Sequence, residues 1–279
     1  MRAAVLGSPV EHSLSPVLHR AAYTELGLSR EWSYERIECA ETELAGFVRE
    51  CDHTWAGLSL TMPLKRVALE LAEEVHEPAS YVGGANTLVF EGGRCHAYNT
   101  DVAGIVAALR EAGIQRVRSA TVLGGGATAA SAVAALAGLG ATDTGALTLL
   151  ARDPNRARGA VQAAERMSLH VDVAPLADIT GYLDVDLVVS TLPSGAADPY
   201  APVVAASGAN LFDVVYSPWP TGMAAAAEEA GRRVVGGFGM LLHQAVAQVE
   251  LMTGAGNVPL EAMRRAGLAE LQRRSAAGA

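Results

Sequence analysis

The stretch "ATVLGGGATAA", residues 120–130, decides the fold of the second half of this chain. Four residues of strand-like character lead into three glycines, and small residues typical of a helix follow. Gly124, Gly126 and Ala129 occupy the G-x-G-x-x-G/A positions of a dinucleotide-binding turn. The first glycine permits a tight turn, the second lets a pyrophosphate approach the backbone, and the helix N-terminus attracts phosphate. Glycine-rich turns are common in α/β proteins, but this strand–turn–helix context favours dinucleotide binding.

The end of the next predicted strand bears on the choice of cofactor. It reads "LLARDPNRAR", residues 149–158. An arginine pair suits the 2′-phosphate of NADP(H), because guanidinium groups match phosphate oxygens, and Arg152 and Arg156 are placed for that role. Asp153 instead favours NAD, since an acidic residue here typically holds the ribose 2′-hydroxyl of NAD. The two arginines favour NADP(H), and NAD stays open as the alternative.

Strand-like and helix-like segments alternate on both sides of this turn, which predicts an α/β protein with parallel sheets covered by helices. We expect two α/β domains with a cleft between them. Residues 1–101, completed by C-terminal helices in residues 240–279, form a substrate-binding domain, and residues 102–239 form a Rossmann-like dinucleotide-binding domain. Within the first domain, "EGG" (residues 91–93) predicts a hairpin, and residues 65–74 predict a helix.

Composition excludes several classes of protein. The 279 residues are 50% hydrophobic and carry a formal net charge of −9, which supports a large core and disfavours binding to nucleic acid. No apolar run is long enough to span a membrane, so we expect a cytoplasmic protein, either monomer or homodimer. The three irregularly spaced cysteines predict buried free thiols, and the seven histidines show no metal-ligand spacing, so no metal site is predicted.

Polar side chains in the first half fall at the ends of predicted strands or in the turns between them, where parallel sheets bind ligands. Two serines follow the first strand at a helix start, where Ser15 is predicted as the N-cap; alone, such serines are more often helix caps than an anion site. Lys65 is a cation in apolar surroundings just past a strand. The set comprises Ser13, Ser15, Thr61, Lys65, Asn86, Asn99, Thr100 and Asp101.

The ordered set of motifs "SLSP", "LTMPLK", "GGANTL", "YNTD", the glycine turn, "STLPSG", "DVVYSPWPT" and "GGFGMLLHQA" resembles the shikimate dehydrogenase family. Each motif is weak alone, but together they run in order from Gly7 to about Gln248. The resemblance implies two α/β domains, the cofactor NADP(H), and the reversible reduction of 3-dehydroshikimate to shikimate in aromatic amino acid (chorismate) biosynthesis.

The resemblance also implies roles for individual residues. The catalytic pair is Lys65 and Asp101, with Lys65 stabilising the developing alkoxide and donating a proton. Substrate contacts come from Ser13, Ser15, Thr61, Asn86, Tyr216 and Gln244. Cofactor contacts come from Gly124, Gly126, Ala127, Arg152, Arg156, Thr191, Gly237 and Met240, the last two in a loop expected over the nicotinamide. Ser59 departs from the family pattern, which often has asparagine there, and Asp153 stands where threonine or serine is usual.

Three alternatives remain open. An NAD-using quinate/shikimate dehydrogenase is kept open by Asp153, although the Ser13 and Ser15 pair argues for shikimate. A folate dehydrogenase would not explain "SLSP" together with "YNTD". A non-catalytic NADP-binding sensor on the same fold would be expected to lack the Lys65 and Asp101 pair.

Overall fold

The computed structural model describes residues 1–278, which divide into two compact units. The first unit comprises Met1–Thr100 and the chain from Leu242 onward, and the second comprises Asp101–Leu241. Asp101, Met240 and Leu241 thus belong to the second unit, although they were predicted to belong to the substrate-binding domain.

The first unit is built on a six-stranded mixed sheet in the order β2-β1-β3-β5-β6-β4. Strands β1, β2 and β3 are parallel, β5 runs antiparallel to both β3 and β6, and β4 pairs parallel with β6. The strands are β1 (Arg2–Gly7), β2 (Ser33–Glu38), β3 (Trp55–Leu60), β4 (Glu74–Val75), β5 (Thr87–Glu91) and β6 (Arg94–Tyr98).

The predicted hairpin is confirmed, because β5 and β6 pair antiparallel across Gly92 and Gly93. Both glycines have positive φ angles, +59° and +78°, a conformation that other residues adopt at a cost. The helices of this part of the chain are α1 (Ser15–Glu25), α2 (Glu41–Glu50), α3 (Val67–Leu71) and α4 (Ala79–Val82).

Two expectations about these helices are wrong. The helix predicted over residues 65–74 is only α3 (Val67–Leu71): residues 65 and 66 belong to a turn, and Glu74 lies in β4. Ser15 was predicted as the N-cap of α1, but it is the first helical residue and Leu14 takes the N-cap position. Leu14 offers no side-chain hydrogen bond to the helix, and the Ser15 backbone N–H donates to Ser13 Oγ at 3.2 Å.

The second unit is built on a six-stranded sheet in the order β12-β11-β10-β7-β8-β9, with every pairing parallel. Strands β8 and β9 lie on one side of β7 and strands β10, β11 and β12 on the other, so the order of successive strands reverses between β7 and β10. The carboxyl ends of these two parallel strands form the switch point where such sheets bind ligands. The strands are β7 (Ala120–Leu123), β8 (Leu147–Ala151), β9 (Asp172–Pro175), β10 (Leu187–Ser190), β11 (Asn210–Asp213) and β12 (Val234–Gly236).

Helices cover this parallel sheet. They are α5 (Asp101–Glu111), α6 (Ala127–Gly138), α7 (Arg158–Arg166), α8 (Ala201–Ser207) and α9 (Gly222–Glu229), with 3-10 helices at Pro154–Ala157, Leu176–Tyr182 and Asp198–Tyr200. The chain ends in α10 (Gly237–Thr253) and α11 (Leu260–Gly278), and α11 packs on α1. None of the helices in residues 1–278 combines the length and the apolar character that a membrane crossing requires.

The loop expected at Gly237 and Met240 is instead the first turn of α10. The Gly237 N–H donates to the Val215 carbonyl at 3.1 Å, and an added Cβ at Gly237 would lie 1.9 Å from the Val214 oxygen. The backbone of this helix start therefore packs directly on the segment after β11, an approach that only glycine allows.

The three cysteines are free, as predicted. Cys39 and Cys95 are buried, but Cys51 is only half-buried, so the expectation of burial holds for two of the three. Burial raises the pKa of the Cys95 thiol to about 12 and of the Cys51 thiol to about 11, which keeps both in the unreactive thiol form near neutral pH.

A polar cluster lies inside the core of the first unit. The ring of His19 is fully buried, stacks on Tyr34 with centroids 3.9 Å apart, and places Nε2 3.3 Å from Gln248 Oε1. Within residues 1–278 its Nδ1 has no hydrogen-bond partner. Burial, only partly offset by the Gln248 hydrogen bond, lowers the pKa of His19 to about 3.

This burial predicts acid-sensitive stability. Below an unfolded pKa near 6.5, the unfolded chain binds a proton on His19 that the folded chain excludes, so the free energy of unfolding falls as pH drops from about 6.5 toward 3. The contribution approaches about 1.4 kcal/mol per pH unit. In urea titrations from pH 7 to pH 5, the His19→Gln variant should lose less stability than the wild type. The variant of an exposed histidine, His53→Gln, should keep the wild-type slope; equal slopes in all three proteins would contradict the assignment.

Candidate active site

The polar residues of the first unit meet at one edge of its sheet. Strands β1, β3 and β6 end at this edge and the antiparallel β5 begins there. Backbone hydrogen bonds join these ends: Leu60 N–H donates to the Asn86 carbonyl at 2.7 Å, and Asn86 N–H donates to the Tyr98 carbonyl at 3.1 Å. Thr61 is joined to β1 through its N–H, which donates to the Leu6 carbonyl at 2.9 Å.

Asn86 is the centre of a buried side-chain cluster. Its Nδ2 donates to Thr100 Oγ1 at 2.8 Å and to Gln244 Oε1 at 3.2 Å, and its Oδ1 accepts from the Thr100 N–H at 2.8 Å. Asn86, Thr100 and Gln244 are 2%, 4% and 6% exposed, so few contacts with solvent compete with these bonds. The cluster presents amide and hydroxyl groups, the donors and acceptors that bind a polyhydroxylated molecule.

The serine pair lies at the start of α1, after β1. Ser15 is buried and Ser13 is half-buried, and the exposed Arg36 donates to the Ser13 carbonyl at 2.7 Å. Two hydroxyls, a helix N-terminus and a nearby guanidinium group together favour a negatively charged ligand.

Lys65 lies in the turn between β3 and α3 and is half-buried. Its backbone is held by the Ala85 N–H, which donates to the Lys65 carbonyl at 2.8 Å, while its side chain is long and flexible. Asp101 is buried in the second unit as the first residue of α5, where the helix dipole favours a negative charge.

The glycine turn of the second unit follows β7 at the switch point. Gly124 has φ +112°, and an added Cβ would lie 2.4 Å from Thr191 Oγ1, at the end of β10. At Gly125 an added Cβ would lie 2.8 Å from the Ala157 Cα, so this glycine is needed for packing. At Gly126, the N-cap of α6, an added Cβ would meet no atom within 4 Å.

This open space beside the N-terminus of a 12-residue helix fits the pyrophosphate of a dinucleotide. Gly126 and Ala127 offer backbone N–H groups there, and Thr191 is fixed by its Oγ1, which donates to the Leu123 carbonyl at 2.9 Å. The residues present therefore fit a dinucleotide cofactor.

Asp153 lies in the segment after β8. Its carboxylate accepts hydrogen bonds from the Asn155 N–H at 3.0 Å and from Asn155 Nδ2 at 3.1 Å, which caps the 3-10 helix Pro154–Ala157. Arg152 and Arg156 are exposed on either side of this cap. The chain continues from this 3-10 turn directly into α7. Asp153 has a structural role in the turn, and both guanidinium groups are accessible to a phosphate.

The remaining predicted residues lie in the segments after β11 and β12. Tyr216 is half-buried in the segment after β11, and Gly237 and Met240 are buried in the first turn of α10. Just before Tyr216, Asp213 is buried and accepts from the Val215 N–H at 3.1 Å and from Thr221 Oγ1 at 2.8 Å. Burial raises the pKa of Asp213, against the opposing effect of these hydrogen bonds.

Sequence reasoning missed the role of Gln248, which holds Asn86 in place. Gln248 Nε2 donates to the Asn86 carbonyl at 3.1 Å and to Thr87 Oγ1 at 3.0 Å, while its Oε1 accepts from Ser59 Oγ at 2.8 Å. Ser59 in turn accepts from the Tyr34 hydroxyl at 2.6 Å. One signal was available: Gln244 and Gln248 stand four residues apart, on one face of a largely apolar helix.

Comparison with known proteins places this geometry in context. The family model for the shikimate dehydrogenase substrate binding domain matches residues 5–88, and that for the shikimate 5'-dehydrogenase C-terminal domain matches residues 237–266. The chain is 32% identical over 278 residues to the NADP(+) shikimate dehydrogenase of Methanothermobacter thermautotrophicus, with 94% of each chain covered.

Solved structures agree with this relationship. Shikimate dehydrogenase from Mycobacterium tuberculosis is 43% identical with a TM-score of 0.87, covering 96% of this chain and 99% of that one. Shikimate 5-dehydrogenase from Thermus thermophilus, solved in complex with NADP(H) and shikimate, is 32% identical with a TM-score of 0.82, covering 96% and 98%.

Proposed function

This chain belongs to the shikimate dehydrogenase family, and on that premise we propose that it catalyses the reversible NADPH-dependent reduction of 3-dehydroshikimate to shikimate. The observation that carries the proposal is the buried cluster of Asn86, Thr100 and Gln244 at the sheet edge. A ring bearing several hydroxyls needs such a set of fixed amide and hydroxyl groups.

The substrate contacts are those that the family resemblance implies. Ser13 and Ser15 bind the carboxylate at the start of α1, and Tyr216 contacts the same end of the substrate. Thr61, Asn86 and Gln244 bind the ring hydroxyls. Because the buried amides are hydrogen-bonded to one another before substrate arrives, they are already oriented, which reduces the entropy lost on binding.

NADPH, when bound, supplies a hydride to the C3 carbonyl carbon of the substrate. Lys65 stabilises the negative charge that develops on the carbonyl oxygen and donates the proton that completes the hydroxyl group. The family resemblance makes Asp101 the second member of the catalytic pair. In shikimate oxidation Lys65 accepts that proton instead.

The cofactor contacts come from the second unit. Gly124, Gly126, Ala127 and Thr191 would hold the pyrophosphate, and Arg152 and Arg156 would bind the 2′-phosphate that distinguishes NADP(H) from NAD(H). Gly237 and Met240 would contact the nicotinamide. The cap formed by Asp153 supports the preference for NADP(H), because its carboxylate is held by Asn155.

We further propose a cytoplasmic location, which the three free thiols support, since reducing compartments keep cysteines unpaired. The partners are small molecules only, without nucleic acid or membrane, and the protein is a monomer or homodimer.

A steady-state assay of the purified chain tests the function. Shikimate and quinate are each offered with NADP(+) and with NAD(+), and formation of the reduced cofactor is followed by absorbance. We expect fast turnover with shikimate and NADP(+) alone. Comparable turnover with quinate or NAD(+) would place the chain with the NAD-using quinate/shikimate dehydrogenases. Folded protein that binds NADP(+) but turns over no pair would be a non-catalytic sensor.

The role of Lys65 predicts a kinetic signature. Lys65→Ala should lower kcat by roughly 10²–10⁴-fold, because its charge and proton are needed in the transition state, and should change the KM for shikimate little. The control is Arg66→Ala, which removes the exposed neighbouring cation and should keep the wild-type kcat. A large rise in KM with kcat preserved would contradict the catalytic role.

The role of Arg152 predicts a change confined to the phosphorylated cofactor. Arg152→Ala should raise the KM for NADP(+) by roughly 10–100-fold, the loss of one charge-assisted hydrogen bond, and leave the KM for shikimate unchanged. Arg158→Ala removes another exposed arginine of the same segment and serves as the matched control. An unchanged KM for NADP(+) in Arg152→Ala would remove this residue from the phosphate site.

A further inference from the structure

Three metal-ligating side chains outside the residues assigned above meet at the outer edge of the first sheet. They are Glu74, His76 and His96, and each offers one ligand atom to the same small space. His76 Nε2 lies 3.2 Å from His96 Nδ1, His96 Nδ1 lies 3.5 Å from Glu74 Oε2, and His76 Nε2 lies 3.9 Å from Glu74 Oε2.

Strand pairing creates this arrangement. The edge strand β4 has only two residues, Glu74 and Val75, and its register places Glu74 opposite His96 of β6. The backbone N–H of His76 donates to the Ala97 carbonyl at 2.9 Å, which continues the ladder and fixes the position of the second histidine. Because the histidines are twenty residues apart, their spacing in the sequence does not suggest a metal site.

Neighbouring residues hold the three side chains in place. The His76 ring stacks on Tyr98 with centroids 4.3 Å apart and an interplanar angle of 4°. Arg94 donates to Glu74 Oε1 at 2.7 Å, which leaves Oε2 facing the histidines. His96 is 14% exposed, whereas His76 and Glu74 are 37% and 42% exposed, so the group opens to solvent on one side.

From these distances we propose that Glu74, His76 and His96 bind a divalent transition-metal ion, Zn²⁺ in particular. A point equidistant from three atoms with these separations lies about 2.1 Å from each, which matches zinc–histidine and zinc–carboxylate bonds. Two imidazoles and one carboxylate suit Zn²⁺ better than Mg²⁺ or Ca²⁺, which prefer oxygen ligands. The fourth coordination position of the ion lies on the exposed side of the group, where water can occupy it.

The bound ion cross-links β4 to β6. A two-residue edge strand has few hydrogen bonds of its own, and a metal bridge from Glu74 and His76 to His96 adds a constraint that the unfolded chain lacks. The proposed site thus stabilises the sheet edge, and it does not depend on the proposed enzymatic function.

Zinc titration of the full-length chain, freed of metal with a chelator, tests the site. Isothermal calorimetry should show one equivalent of Zn²⁺ bound per chain, accompanied by a rise in Tm. His96→Ala and His76→Ala should each weaken binding by at least about 100-fold and abolish the rise in Tm. Mg²⁺ should neither bind at comparable concentrations nor raise Tm.

The matched control is His170→Ala. His170 Nε2 lies 3.1 Å from Asp172 Oδ1, and among residues 1–278 this exposed pair belongs to no group of three metal-ligating side chains. This variant should bind Zn²⁺ as the wild type does. X-ray absorption at the zinc edge should show nitrogen and oxygen ligands without sulfur. Binding that survives in both His96→Ala and His76→Ala, a sulfur ligand, or no stoichiometric binding by the wild type would overturn the proposal.

Discussion

The first unit depends on the hydrogen bonds of one buried asparagine. The Asn86 backbone joins the end of β3 to the end of β6, and its side chain joins Thr100 to Gln244 on α10. A buried amide left without partners costs roughly 1–3 kcal/mol, so each of these groups constrains the position of the others. The strand ends, Thr100 and Gln244 of α10 are therefore held in one arrangement, which orients the Asn86 and Gln244 side chains.

The second unit depends on a different constraint, the close approach of backbone segments at the switch point of its sheet. Three consecutive glycines serve three purposes: Gly124 lets β7 approach Thr191, Gly125 lets the turn pack on Ala157, and Gly126 leaves space at the start of α6. The first two of these purposes are packing requirements, and the third leaves the start of α6 open, as a dinucleotide-binding turn requires.

Local patterns were sufficient for much of this protein. The glycine turn, the "EGG" hairpin and the alternation of strands and helices predicted the α/β architecture, because these features depend on backbone preferences and on periodicity within a few residues. The boundaries of individual helices were predicted less accurately than the fold class. The segment containing Lys65 was predicted as helix and is a turn, and the segment of Gly237 and Met240 was predicted as a loop and is helical. In the second case the deciding contact is with Val214, which is distant in the sequence.

The sequence by itself determined the fold class, the family and the residue types available for chemistry. Only the tertiary structure decided which of them meet. It showed that Gln248 supports Asn86, that Asp153 caps a turn, and that His76 and His96 face one another across β4 and β6. The physical reason is common to the first and the last of these: buried hydrogen bonds and strand register bring together side chains from segments distant in the sequence. The Asp153 cap is a local contact with Asn155, and it depends on the backbone conformation of the turn.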